Sequence, residues 1–170
     1  KLQNLIVMNW GDDTIADSAF KDASSLIKVI IHKATITQSQ AFYRCTKLTT
    51  VSMPDLITIG KLEETTYGSF YDCDALATVS FPAVQTIGQY AFSDCIALTT
   101  VSFPVAKTIG IHAFYHSAGL IFASFPVAES IGMQAFGNCY KLQTIIYPQS
   151  IIPGTNAFQN CPSTLQKLNP

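Results

Sequence analysis

Charge is scarce in this sequence: 12% of its 170 residues are Asp, Glu, Lys or Arg, against about 25% in ordinary soluble domains. Ten basic residues against eleven acidic ones leave a formal charge of −1, which offers no electrostatic footprint for nucleic acid or an anionic membrane surface. Long apolar runs are lacking as well. The longest near-apolar stretch, Gly119–Ala128, has ten residues and includes Ser124 and Pro126, whereas a membrane-spanning helix needs about 18. The chain also lacks the polar, highly charged composition of disordered segments, since 48% of it is hydrophobic. Gly-rich phosphate loops, G-x-S-x-G elbows and H-E-x-x-H zinc motifs are missing. These absences point to a folded, non-catalytic chain with no expected cofactor. Its length suits one domain over residues 1–170, and its start at Lys1, without an apolar leader segment, reads as a piece of a longer protein.

What the sequence does contain is a repeat. Ala-Phe, or Ser-Phe once, recurs with the rings at Phe20, Phe42, Phe70, Phe92, Phe114, Phe136 and Phe158, separated by 22, 28, 22, 22, 22 and 22 residues. Six residues after each of the first six rings stands a leucine, and the third residue after the ring is Cys45, Cys73, Cys95, Cys139 or Cys161, with Ala23 and Ser117 in the same slot. Twelve residues after the ring stands proline, or His32 once. In the unit that opens at Leu98, Val101 and Phe103 alternate with polar residues, which is the period of a strand with one buried face. Pro104 ends the strand, because it has no N–H for a ladder. Gly88, Gly110 and Gly132 then suggest a bend with positive φ.

A unit of 22 residues has no room for a strand, a full helix and two loops. Strand, turn and a short 3₁₀ or irregular return are expected, with little regular helix. One such unit cannot bury its own apolar face, so the units must stack into a solenoid of gentle curvature. Parallel strands lie about 4.8 Å apart, and seven or eight rungs would build one sheet about 35 Å long.

The pattern L-x-x-V-x-F-P-x-V-x-T-I-G-x-x-A-F-x-x-C, nearly verbatim in Leu76–Ala97 and Leu98–Ser117, resembles the leucine-rich repeats of the BspA-like type. The resemblance implies an α/β-type leucine-rich repeat solenoid with a parallel sheet on one face. It further implies a surface or secreted adhesion protein, bacterial for the most part, that binds other proteins without catalysis. It identifies no ligand.

Departures from the pattern are informative. Six extra residues, Lys61–Thr66, are expected to protrude as a loop, two more fall near Asn9–Asp13, and Thr35-Ile36 looks slightly out of register. Leu165 and Leu168 repeat the strand spacing in a partial last unit, and neither end shows a dedicated polar cap.

The cysteines share one inward slot, which favours buried free thiols over disulfides or a metal site. His112 and His116 are four residues apart but lack a third ligand, and they read as solvated surface residues. The candidate binding surface is the outward sheet face: Thr50, Ser52, Thr78, Ser80, Thr100, Ser102, Phe122, Ser124, Thr144 and Ile146. Phe122 is its anomaly, an aromatic where other units carry Thr or Lys, and aromatic residues anchor interfaces. The partner expected is an unidentified protein. A structural spacer without a ligand, or an array that self-associates, are the alternatives.

Overall fold

The computed structural model describes residues 2–9, 11–62 and 67–170. Each rung contributes two parallel strands. The longer ones are β1 (Asn4–Val7), β3 (Lys28–Ile31), β5 (Thr50–Ser52), β7 (Thr78–Ser80), β9 (Thr100–Ser102), β11 (Phe122–Ser124), β13 (Thr144–Ile146) and β14 (Gln166–Leu168). The two-residue ones are β2 (Thr14–Ile15), β4 (Ile36–Thr37), β6 (Thr58–Ile59), β8 (Thr86–Ile87), β10 (Thr108–Ile109) and β12 (Ser130–Ile131). Among the described residues there is no helix, and none long and apolar enough to cross a membrane.

The short strands form one continuous six-stranded sheet. From spacing alone their Ile-Gly steps are expected to be bends with positive φ. The glycines have a different role. Of the described glycines, Gly60 alone has positive φ, at 66°. A Cβ on Gly110 or Gly132 would instead lie 2.6 Å from the backbone of the glycine one rung below, so the side chain is absent to let the rungs close.

The long strands do not make the single sheet expected. They split into β1-β3-β5-β7 and β9-β11-β13-β14, with no pairing between β7 and β9. In the neighbouring rungs the residue after the repeat leucine opens the pairing, with Ala77 donating to Thr49 at 3.0 Å and Ile121 to Thr99 at 2.8 Å. Across the opening the bond comes instead from Ala97, two residues before the equivalent Thr99, to the Asp74 carbonyl at 3.2 Å. The opening is confined to this face. Across it the core rings of Phe81 and Phe103 still stack, at 6.2 Å against 5.7 Å for Phe103 and Phe125, and Val79 is half-buried where Val101 is buried.

The third side carries the Ala-Phe segments, and it is irregular rather than 3₁₀. Residues two before and two after most of the rings adopt the left-handed conformation, among them Asp22, Asp72, Asp94, Asn138 and Asn160 with φ of 57–60°. Asp and Asn tolerate that region best among residues with a Cβ, which accounts for their recurrence two residues after Phe. Left-handed residues turn alternate peptides parallel to the stack. Phe20, Phe92 and Phe114 then donate their N–H groups to Ala41, Ala113 and Ala135 of the next rung, all at 2.7 Å. A third hydrogen-bonded ladder results, and it satisfies backbone that a loop would leave to water.

Inside, the rings that follow Ala or Ser form a ladder. Phe42, Phe70, Phe92, Phe114 and Phe136 are fully buried and stack at 5.0–5.3 Å, while Phe20 and Phe158 are half-buried at the ends. A second column, Phe81, Phe103 and Phe125, leans against the first at 5.8–6.2 Å.

Two expectations about register need correction. Ile36 and Thr37 keep the register, aligned with Thr14 and Ile15 below and Thr58 and Ile59 above. The residue types are swapped instead, so Thr37 is buried, bonded to the Ser69 hydroxyl at 3.0 Å, and Ile36 is exposed. In the last rung, Lys167 aligns with buried Ile145, and Leu168 faces outward beside Ile146. Lys167 places its ammonium 4.6 Å over the Phe158 ring, a cation–π contact that puts charge over this end of the ladder, where the sequence suggested no polar cap.

All five thiols are free. Each donates to the carbonyl of the ring residue one rung below: Cys45 to Phe20, Cys73 to Phe42, Cys95 to Phe70, Cys139 to Phe114 and Cys161 to Phe136, at 3.1–3.2 Å. Ser117 does the same to Phe92 at 2.7 Å. In six of the seven rungs the slot therefore holds a small side chain with a donor, Ala23 being the exception, which goes beyond the packing role expected from the sequence. Cys95→Ala, which strands the Phe70 carbonyl, is expected to cost about 1–3 kcal/mol. Cys95→Ser, which keeps a donor there, should cost clearly less, and urea unfolding of the two variants measures the difference.

Candidate binding surfaces

The sheet face displays the residues that the alternation assigned to it. Thr100, Phe122 and Thr144 form one registered row, and Ser102, Ser124 and Ile146 the next. Thr50 pairs with Thr78 and Ser52 with Ser80 in the other half. The hydroxyl columns are thus interrupted at the β7–β9 opening, where Thr78, Ser80, Thr100 and Ser102 are the most exposed of the set. Phe122 is half-buried on the outer surface beside Ile121, which is exposed. Close to the last rung, a shallow hollow of about 250 Å³ is lined by Gln143, Thr144, Thr164 and Gln166.

Residues 63–66 of the six-residue insertion fall outside the described residues. Its described part, Lys61 and Leu62, lies beside the second sheet. With Ile36, Gln38, Thr58, Gly60 and Thr86 these two line a hollow of about 600 Å³. The outward turn of Ile36, which sequence alignment read as a slip, supplies one apolar wall.

A feature that the sequence reading missed runs along the third side. Aromatic rings there form a chain over five rungs: Tyr43 with Tyr67 at 5.1 Å and Tyr71 at 5.7 Å, Tyr67 with Tyr71 at 4.4 Å, and Tyr71 with Tyr90 at 6.2 Å. Tyr90 stacks on His112 at 4.7 Å, His112 meets Tyr115 at 5.2 Å, and His116 meets Tyr140 at 6.2 Å. Tyr67 and Tyr140 are exposed and the rest half-buried. The signal was available, since Tyr43, Tyr71 and Tyr115 each follow a ladder phenylalanine and Tyr90 and His112 each precede one by two. Projecting those offsets onto a common face required knowing the left-handed turns.

The two histidines are accordingly not the solvated pair expected. His112 bonds to Gln134 at 2.8 Å through Nε2, and His116 pairs with Asp94 at 2.6 Å. Among the described residues no group of three metal-ligating side chains converges. At the other end of the row, Lys21 lies 5.1 Å and Arg44 5.9 Å from the Tyr43 ring centre, and Arg44 reaches Asp72 at 3.4 Å. Burial, then the neighbouring Asp72 and Asp94, raise the Asp74 carboxyl above its ordinary pKa. Burial and Asp94, which accepts its hydrogen bond, push the Tyr71 hydroxyl up.

Residues 1–82 and 63–169 match the family described as the BspA type leucine rich repeat region, in six copies. No curated protein matches the sequence. Among solved structures, a leucine-rich repeat protein from Eubacterium ventriosum is 28% identical with a TM-score of 0.75, over 88% of this chain and 40% of its own. The T. pallidum leucine rich repeat protein TpLRR shares the fold at 19% identity and a TM-score of 0.63, over 96% of this chain and 85% of its own. A leucine-rich repeat protein from Bacteroides ovatus does so at 17% and 0.51, over 89% and 62%.

Proposed function

Because the chain belongs to the BspA-type leucine-rich repeat family, whose repeats are generally non-catalytic scaffolds for protein interaction, we propose that it is an adhesion module of a cell surface or a secreted protein, which holds its partner on the face of the long strands. The observation that carries this reading is the pair of registered rows Thr100–Phe122–Thr144 and Ser102–Ser124–Ile146. They present hydroxyl groups around one aromatic ring and no charged side chain, so affinity comes from packing and neutral hydrogen bonds. Such a contact is insensitive to salt, because no exposed ion pair is there to be screened.

The test uses the chain immobilised on beads and exposed to a soluble extract of extracellular-matrix protein. Phe122→Ala is expected to weaken capture at least tenfold, and Thr100→Arg, which puts an unpaired charge in the middle of the face, to abolish it. Capture that survives both substitutions in folded protein would reject the sheet face as the binding site.

A second reading, self-association of the repeats, is favoured by the apolar side chains exposed toward the two ends: Leu2, Ile6 and Met8 at one, Ile152 and Leu168 at the other. Light scattering over a concentration series separates it from the first, since a monomer at every concentration excludes it.

A further inference from the structure

We propose that the aromatic row on the third side is a second interaction surface, and that it takes a protein segment carrying arginine side chains. The row is a continuous path of rings, with centres 4.4–6.5 Å apart from Tyr43 to Tyr140. In an extended segment, side chains on one face recur about every 6.6 Å against about 4.8 Å from rung to rung, a difference of about 2 Å that the long arginine side chain can span between neighbouring rungs.

Charge selects the partner. Between Lys61 and Lys107 the sequence contains no Lys, Arg or His and five carboxylates, although the whole chain is nearly neutral. Two of the five, Asp72 and Asp94, stand beside Tyr71, and Asp74 lies close enough to both to feel their charge. Arg44 approaches this group from one side and His116 from the other, which leaves the surplus of negative charge around Asp74, in the middle of the row.

The chain itself shows how such a cation sits. Lys21 and Arg44 both lie over the ring of Tyr43 at the start of the row, and Arg44 bonds to Asp72 at the same time. An incoming guanidinium can repeat that arrangement one and two rungs on, against Tyr71 and Tyr90 with Asp74 or Asp94 as its acceptor. Arginine is preferred to lysine because its planar, weakly hydrated head stacks on rings while it donates to a carboxylate. The surface is chemically unlike the two rows around Phe122, which carry hydroxyls and no charge, so the two can hold different partners at once.

The experiment is fluorescence anisotropy with labelled nona-arginine and nona-lysine peptides on the whole chain at 50 mM and 150 mM salt. Nona-arginine is expected to bind saturably and at least threefold more tightly than nona-lysine, with affinity falling as salt rises. Tyr71→Leu, Tyr90→Leu and Asp74→Asn should each weaken it at least fivefold, while Tyr71→Phe, which keeps the ring, and Thr100→Ala on the sheet face should not. Circular dichroism and the urea midpoint identify any variant that fails to fold, and Asp74→Asn removes no packing, so it tests the surface even if a tyrosine variant unfolds. The proposal is overturned if nona-arginine does not bind at 50 mM salt, if Asp74→Asn and the tyrosine variants bind unchanged, or if the two peptides bind equally. It is also overturned if a neutral oligosaccharide such as cellohexaose competes fully with the peptide, which would make the row a sugar-stacking platform instead.

Discussion

Phe114→Ala is expected to lower stability by about 3–5 kcal/mol, a large part of the about 5–15 kcal/mol that holds an ordinary domain together. The Phe114 ring is fully buried between Phe92 at 5.3 Å and Phe136 at 5.2 Å, with Phe103 and Phe125 leaning on its edge at 6.2 and 5.8 Å. Truncation removes its own burial and leaves a cavity that four other rings border. In a stack each rung is stabilised by the rung on either side, so a central loss weakens two interfaces and an end loss only one. Phe158→Ala, at a ring that is half-buried, should therefore cost less than half as much. Urea unfolding curves measure both. Equal costs at the two positions would show that the ladder does not act through nearest neighbours.

Raising the pH from 8 to 10 is expected to remove several kcal/mol of stability, because four buried thiols keep protons that the unfolded chain gives up. Thiols of the unfolded chain ionise around 9.0, whereas burial pushes Cys45 up to about 12 and holds Cys73, Cys95 and Cys139 well above the ordinary thiol range. Below pH 9 both states carry the proton and these groups make stability independent of pH. Above 9 the unfolded chain releases protons that the folded one retains, so stability falls steadily as pH rises from about 9 to about 12. Cys161, half-buried and pushed up to about 11, adds a smaller part. The measurement is the urea midpoint at pH 8, 9 and 10 for the parent chain and for a variant with Cys73, Cys95 and Cys139 replaced by serine. The variant keeps the donors to Phe42, Phe70 and Phe114 but has no thiols there to ionise, and its midpoint should be much flatter. An identical fall in both proteins would rule the thiols out as the cause.

The repeat, the inward rings and the shared thiol slot were legible as spacing, because a stack places equivalent residues at equivalent sites whatever the details of the turns. The outward strand residues were legible too, since alternation is a local property of a strand. The third side was not. Whether Tyr43, Tyr71 and Tyr90 share a face depends on the left-handed residues between them, and a composition of Asp, Asn, His, Gln and Tyr at those offsets does not announce that conformation. The glycines misled for a related reason. Gly110 and Gly132 are small because backbone from another rung passes 2.6 Å from where their Cβ would stand, a contact between residues 22 apart.

The sequence by itself determined that this is a stacked array of 22-residue units, which residues line its core, and that charge is scarce along it. The tertiary structure decided where the long-strand sheet breaks, which way Ile36 and Lys167 point, and that carboxylates and tyrosines meet in one row. Periodicity reports what each rung has in common with the next, because every rung faces the same packing problem. The breaks, swaps and surface clusters arise where one rung differs from its neighbours, and they take shape only when the rungs are laid on one another.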